Sequence, residues 1–258
     1  MARELADVIH YFLEDREPGD EGTGAAPRAP LIAVPVSEKD VIRVAFVWNL
    51  AVELARSGAR PLVLAPDDAS LEPLRECLPA PVAEPDRVGP EFAFSGAHEL
   101  APLGRDARDL ARARRPGAGP GFALLPSRWI AAGDDAGGLL GTPLLFTTPV
   151  PADLDAAYAL AERIFEVAPD ARLGVTIHGV GSVDEACRAF EGMAERVAGG
   201  LDRTLISYGL LLEDLQIYRA LVNRRAVGLA QPQSLAARAL ADVARLLRED
   251  AGARGAGP

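Results

Sequence analysis

Arg43 is the residue best placed to do chemistry in this chain. It sits in Ser37-Glu38-Lys39-Asp40-Val41-Ile42-Arg43-Val44, between an apolar run (Leu31 to Val34) and a helix-length segment. A cation in the first turn of a helix that follows a strand can grip an anion, because unsatisfied backbone N–H groups and the helix dipole point at the same spot. Asp67 and Asp68 close the next apolar run and could assist, so a nucleotide or another phosphate ligand is one chemistry to consider. The neighbours argue the other way. Glu38 and Asp40 bring negative charge to the place an anion would take, and Ile42 and Val44 offer no ligand atoms. His10, His98 and His178 are isolated in sequence, and Cys77 and Cys187 lie far apart without metal-ligating neighbours. Both cysteines read as reduced thiols of a cytoplasmic protein. There is no Gly-x-Ser-x-Gly elbow and no His-Glu-x-x-His pair. No catalytic residue, metal or cofactor is therefore expected. Asp134-Asp135, set among Ala and Gly, reads as a solvated loop.

The elements that would position Arg43 follow from the patterning. Leu31 to Asp67 reads as strand, polar turn, helix and strand, with Gly58 as the left-handed cap of the helix. Val41, Ile42, Val44 to Val47 and Trp48 make that helix apolar on nearly every side, which predicts burial all round. Two explanations stand open. Side chains from its start fill a vacated ligand site, or one face meets another protein. Further on, strands are expected at Phe92 and Phe94, at 121–126, at 143–149 and at 173–180, and helices at 70–77, 99–114, 153–167, 183–197 and 216–223. Ala226 to Leu229 reads as a short edge strand. A last helix follows Gln231, with Ser234 as its N-cap, and residues 249–258 read as a disordered tail. This alternation predicts an α/β fold with a doubly wound, mostly parallel sheet.

Anchored on Asn49-Leu50-Ala51, the unit from Ile32 to Asp67 resembles the opening of the MinD/ParA family of P-loop ATPases. Thr147-Thr148-Pro149, Asp155-Ala-Ala-Tyr158 and Gln231-Pro-Gln-Ser234 with its Ala-rich helix extend the likeness over 120–247. The resemblance implies a P-loop NTPase-like fold for residues 31–248. It also shows what is altered. The family's glycines fall on Ser37, Lys39, Asp40 and Ile42. Its dimer-bridging lysine falls on Glu38, its phosphate-binding lysine on Arg43 and its magnesium-binding hydroxyl on Val44. The first aspartate of Asp-x-Asp falls on Ala65, and the switch aspartate on Pro126. The positions that read adenine fall on His178 and Leu212. A P-loop needs glycines that turn successive N–H groups inward, a cation and a metal-ligating hydroxyl. The resemblance thus implies a pseudo-ATPase, with Ser37, Glu38, Lys39, Asp40, Ile42, Arg43 and Val44 as a vestigial loop. The alternative is a divergent phosphate binder that keeps Arg43.

Composition narrows the partners. Net charge is −10 with 49% hydrophobic residues. No basic run is present to release counterions from DNA, so no DNA partner is expected. No stretch is long enough to span a bilayer, and direct membrane binding is not expected either. Residues 1–17 place Leu5, Val8, Ile9 and Phe12 on one helical face, tethered by a Gly/Pro-rich linker at 18–30. That face either docks on its own domain or carries the chain to a partner. The resemblance suggests an active MinD/ParA-type or a polar or flagellar protein as partner. It also allows a nucleotide-independent homo- or heterodimer, and a role in motility, polarity or cell division.

Overall fold

The computed structural model describes residues 31–37, 40–68, 89–115, 118–132 and 134–255. Strand β1 (Leu31–Val36) leads into helix α1 (Val41–Arg56) and strand β2 (Leu62–Pro66). Then come β3 (Glu91–Ser95), α2 (Leu100–Ala113), β4 (Gly121–Pro126) and a short α3 (Arg128–Ala132). The second half runs β5 (Leu144–Thr147), α4 (Pro151–Val167), β6 (Gly174–Val180), α5 (Val183–Leu201) and β7 (Ile206–Leu212). It closes with α6 (Leu215–Val222), α7 (Val227–Ala230) and α8 (Leu235–Gly255). The 70–77 helix, the tethered segment with Leu5, Val8, Ile9 and Phe12, and Glu38 and Lys39 lie outside the described residues.

The strands are ordered β1-β4-β2-β3 in one sheet and β5-β6-β7 in the other. A single bridge, Ala33 to Pro143, joins β1 to the lead-in of β5, so the continuous order is 3-2-4-1-5-6-7. Every described pair is parallel. The sequence reads accordingly. The central strands β1, β2, β4 and β5 are buried at every position, because helices cover both faces and no solvent side exists to demand alternation. The doubly wound α/β expectation holds.

α1 ends where Gly58 takes φ of +88°. Ala59 N–H reaches the Leu54 carbonyl at 3.1 Å and Gly58 N–H the Ala55 carbonyl at 3.1 Å, a Schellman closure. Every residue from Val44 to Ala55 is buried. Elements of the same chain supply much of this cover. α8 and α7 pack against α1, and α8 also lies on β7.

Two expectations from the sequence need correction. Ala226 to Leu229 is not a strand. Ala226 caps α7, and its carbonyl accepts from Leu229 N–H at 3.1 Å and Ala230 N–H at 2.9 Å. The short apolar run was compatible with either element; its donors and acceptors are satisfied locally and by α1, with no neighbouring strand to pair. Nor is the chain disordered from 249, because α8 continues to Gly255. Ala251 falls on the buried face begun by Leu240, Val243 and Leu247, and Asp250 accepts from Tyr208 Oη at 2.7 Å.

α2 meets the loop before β5 backbone to backbone at Gly104, and Arg108 Nη2 donates to the Ala136 carbonyl at 3.1 Å beside it. A Cβ built on Gly137 would stand 2.4 Å from Gly104 Cα, and one on Gly104 would stand 2.7 Å from Gly137 Cα. Neither contact has a flexible side chain that could yield. Gly137→Ala should therefore cost about 1–3 kcal/mol by overpacking. The check is urea unfolding against Gly141→Ala, whose Cβ would meet nothing within 4 Å. Equal midpoints for the two variants would contradict the close approach.

Candidate functional site

The C-terminal ends of the strands, where sheet order turns between β4, β1 and β5, form the usual ligand crevice of a doubly wound fold. Here that crevice is built around the first turn of α1. Asp40 is the N-cap, and its Oδ1 accepts from Arg43 N–H at 3.1 Å. Its Oδ2 accepts from Arg43 Nη1 at 2.8 Å. Arg43 Nε donates to the Phe146 carbonyl at the end of β5, 3.0 Å away, and Nη1 lies 3.5 Å from Ser37 Oγ. The chain thus supplies its own anion to the helix N-terminus. Asp40 was expected to repel a ligand; it is instead the carboxylate that Arg43 holds. An Asp immediately before an apolar helical run is an N-cap signature, and that signal was present in the sequence.

Apolar side chains pack beside this pair. Val44, at the place where a metal-ligating hydroxyl was sought, is buried, and Ile42 packs half-buried against the core. Phe46 meets Phe146 at 5.4 Å between ring centroids and His178 edge-on at 5.0 Å. Burial, reinforced by the Arg43 charge, lowers the His178 pKa to about 4, against the weaker pull of Asp40 and Asp153. At neutral pH His178 is an uncharged ring in an aromatic cluster.

The remaining candidates serve the framework. Pro126 closes β4, and Ser127 N–H donates to the Val36 carbonyl at 2.9 Å. Ala65 is buried within β2. Asp68 forms an ion pair with Arg128 of α3. Asp135 accepts from Leu139 and Leu140 N–H at 2.8 and 3.0 Å, ordering the turn before β5. It is a loop brace rather than a freely solvated charge. Among the described residues no group of His, Cys, Asp and Glu is arranged to hold a metal ion, and no helix is long and apolar enough to cross a membrane.

Two residues carry more than the sequence suggested. Asn49, on α1, is buried; its Oδ1 accepts from Val227 N–H at 2.8 Å and its Nδ2 donates to the Ala45 carbonyl at 2.8 Å. Asp214, just after β7, caps two helices, taking Gln216 N–H at 2.8 Å and Ala236 N–H at 3.2 Å. Beside Asn49, buried Glu53 pairs with Arg56, and burial raises the Glu53 pKa despite that pair. Gly228 on α7 lies directly over it: a Cβ there would come within 1.7 Å of Glu53 Oε1.

The overall fold has solved counterparts. The MinD protein of the MinC:MinD cell division complex of Aquifex aeolicus superposes with a TM-score of 0.61 at 13% identity, covering 85% of this chain and 96% of that one. The Pyrococcus furiosus cell division ATPase MinD gives 0.58 at 16% identity, over 86% and 99% of the two chains. A ParA family ATPase from Chlorobium tepidum gives 0.58 at 13%, over 84% and 99%. The fold is that of the MinD/ParA ATPases. No family model matches the sequence, and no curated protein matches it. At such identities the MinD/ParA likeness speaks for architecture, and the chemistry has to be argued from the site itself.

Proposed function

We propose that this chain is a pseudo-ATPase of MinD/ParA architecture that acts through protein contacts, as a regulator or scaffold in bacterial spatial organisation. The observation that carries this reading is the internal ion pair. Arg43, the cation at the phosphate position, is held by Asp40 and by the Phe146 carbonyl, next to a buried Val44 that cannot hold magnesium. An incoming phosphate would have to displace a carboxylate tethered three residues away, in a first turn without the glycines of a P-loop. The partner is a protein, and the face formed by Leu5, Val8, Ile9 and Phe12 is the part of the chain that would engage it. The solved complex of the MinD neighbour with MinC is consistent with a fold that serves as a docking platform. The resulting role belongs to division, polarity or motility, in the cytoplasm, without DNA.

A second reading has one observation in its favour. The Arg43 side chain keeps 25% of its surface exposed at a helix N-terminus, so an anion can still reach the guanidinium.

Thermal unfolding separates the two. A nucleotide present at about 100 times its Kd should stabilise the fold by about 2.7 kcal/mol, a rise of roughly 5–10 °C for a chain of this size. The expected result is no shift with millimolar ATP, ADP or GTP, with or without Mg²⁺. A Mg²⁺-dependent shift that disappears in Arg43→Ala would establish a divergent ATPase instead. A shift indifferent to Mg²⁺ would establish a phosphate-ligand sensor.

A further inference from the structure

Among the described residues, five of the seven large apolar side chains that stand exposed lie on α6, α7 and the start of α8, Phe94 and Val150 being the other two. Leu215, Tyr218 and Val222 are exposed at i, i+3 and i+7 of α6, one face of the helix, while Ile217 and Ala220 on the opposite face are buried. Leu229 on α7 and Leu235 at the start of α8 are exposed too, and α7 packs against both α6 and α8. Val222 is 81% exposed. Exposed apolar side chains grouped on helices that pack together point to a binding surface, where singly scattered ones would need no explanation.

Its charge says what fits. From Leu215 to Ala241 the sequence contains no Asp or Glu, in a chain of net charge −10. Arg219, Arg224 and Arg225 stand exposed along the same stretch. An apolar face rimmed by arginine calls for an amphipathic helix rimmed by carboxylates. Residues 1–17 have that chemistry. Leu5, Val8, Ile9 and Phe12 make one stripe, and Glu4, Asp7, Glu14, Asp15 and Glu17 outnumber Arg3 and Arg16.

Geometry permits the match within one molecule. The segment is joined to Leu31, at the start of β1, by residues 18–30. Thirteen residues reach up to about 43 Å when extended. The six-residue strand β1 is about 20 Å long and β7, which precedes α6, lies three strands or about 14 Å across the sheet, so a linker of this length can span to α6. A short tether also holds the segment at an effective concentration of order millimolar, which favours its own domain over a second copy at ordinary protein concentrations.

We propose that residues 1–17 dock as an acidic amphipathic helix on the α6–α7–α8 patch of their own domain. The segment and the patch are then mutually masked, and a partner that binds either one competes with the other. The proposal is independent of whether Arg43 binds phosphate, and it stands or falls separately from the nucleotide experiment.

Hydrogen–deuterium exchange on the full chain tests it, at two protein concentrations tenfold apart. Amides of residues 5–13 should be protected equally at both concentrations. That protection should fall at least tenfold in Val222→Glu, whose exposed side chain can change without disturbing the core, and in Arg224→Glu/Arg225→Glu. Phe12→Glu should in turn deprotect residues 215–229, while the amides of β1 and β4 stay unchanged in every variant. Asp7→Arg should restore part of the protection lost in Arg224→Glu/Arg225→Glu. Free exchange of residues 5–13 in the wild type would overturn the proposal. So would protection indifferent to Val222→Glu, which would place the segment elsewhere. Protection that grows with concentration would make the occupant a second copy and overturn docking within one molecule.

Discussion

Asn49→Leu is expected to lower stability by about 2–4 kcal/mol, although leucine nearly preserves the volume of the side chain. The reason is the Val227 N–H. It is buried, and Asn49 Oδ1 is its partner at 2.8 Å. A buried donor stripped of its acceptor loses its solvation without replacement, which costs about 1–3 kcal/mol. The bond from Asn49 Nδ2 to the Ala45 carbonyl contributes about 1 kcal/mol more. For a chain of this length the melting temperature should fall by roughly 5–15 °C. Guanidinium unfolding of Asn49→Leu beside wild type gives the number directly. A loss under about 0.5 kcal/mol, within the range of ordinary surface substitutions, would mean that α7 finds another acceptor and that Asn49 does not tie α1 to it.

Mild acid should destabilise the fold through His178. Its pKa in the folded chain is lowered to about 4, from the usual 6.5, first by burial and then by Arg43. Between those values the unfolded chain takes up a proton that the folded chain refuses, so folding weakens as pH falls from about 6.5 towards 4. At 1.36 kcal/mol for each unit of pKa difference, the loss is at most about 3 kcal/mol. Glu53, Asp135 and Asp242 act in the opposite sense. Burial raises their folded pKa values, so the stability they contribute through protonation is present at low pH and is lost as pH rises through those values. They are common to wild type and His178→Phe and cancel in the difference between them. Stability measured from pH 7.5 to 4.5 should therefore fall more steeply for wild type than for His178→Phe. Parallel curves would mean that His178 titrates normally and that the aromatic cluster does not exclude water.

Much of this fold was legible in the sequence, and the residues show why. Leu31 to Pro66 declares itself because fully buried parallel strands leave uninterrupted apolar runs, and because Gly58 adopts a conformation that other residues rarely take. The all-apolar α1 was legible as buried, but its cover was not. α8 is distant in sequence, and an amphipathic pattern does not name the surface it will meet. The misread 226–229 segment has the same cause. A four-residue apolar run takes its structure from its partners, here Asn49 and the α7 backbone. At the candidate site, the substitutions at Arg43, Val44 and Ala65 could be read directly. The pairing of Asp40 with Arg43 could not be read from charge alone. Two opposite charges at i and i+3 may bind each other or a third group, and only the position of the Phe146 carbonyl shows that Arg43 turns inward.

The bridge at Ala33 and Pro143 bears on how this molecule transmits strain. Pro143 has no N–H, and its carbonyl is taken by Gly174 N–H of β6 at 2.9 Å. The hydrogen-bond ladder is therefore nearly interrupted between β1 and β5, and side-chain contacts such as Phe46 against Phe146 span the gap. Mechanically the sheet is two stiff plates glued along one edge rather than a single plank. Hydrogen bonds resist sliding far better than apolar contacts do, and the seam between β1 and β5 has the fewest of them in this sheet. Arg43 reaches across that seam, from the first turn of α1 to the last residues of β5. A ligand above it that broke this bond would remove one of the polar ties between the two halves.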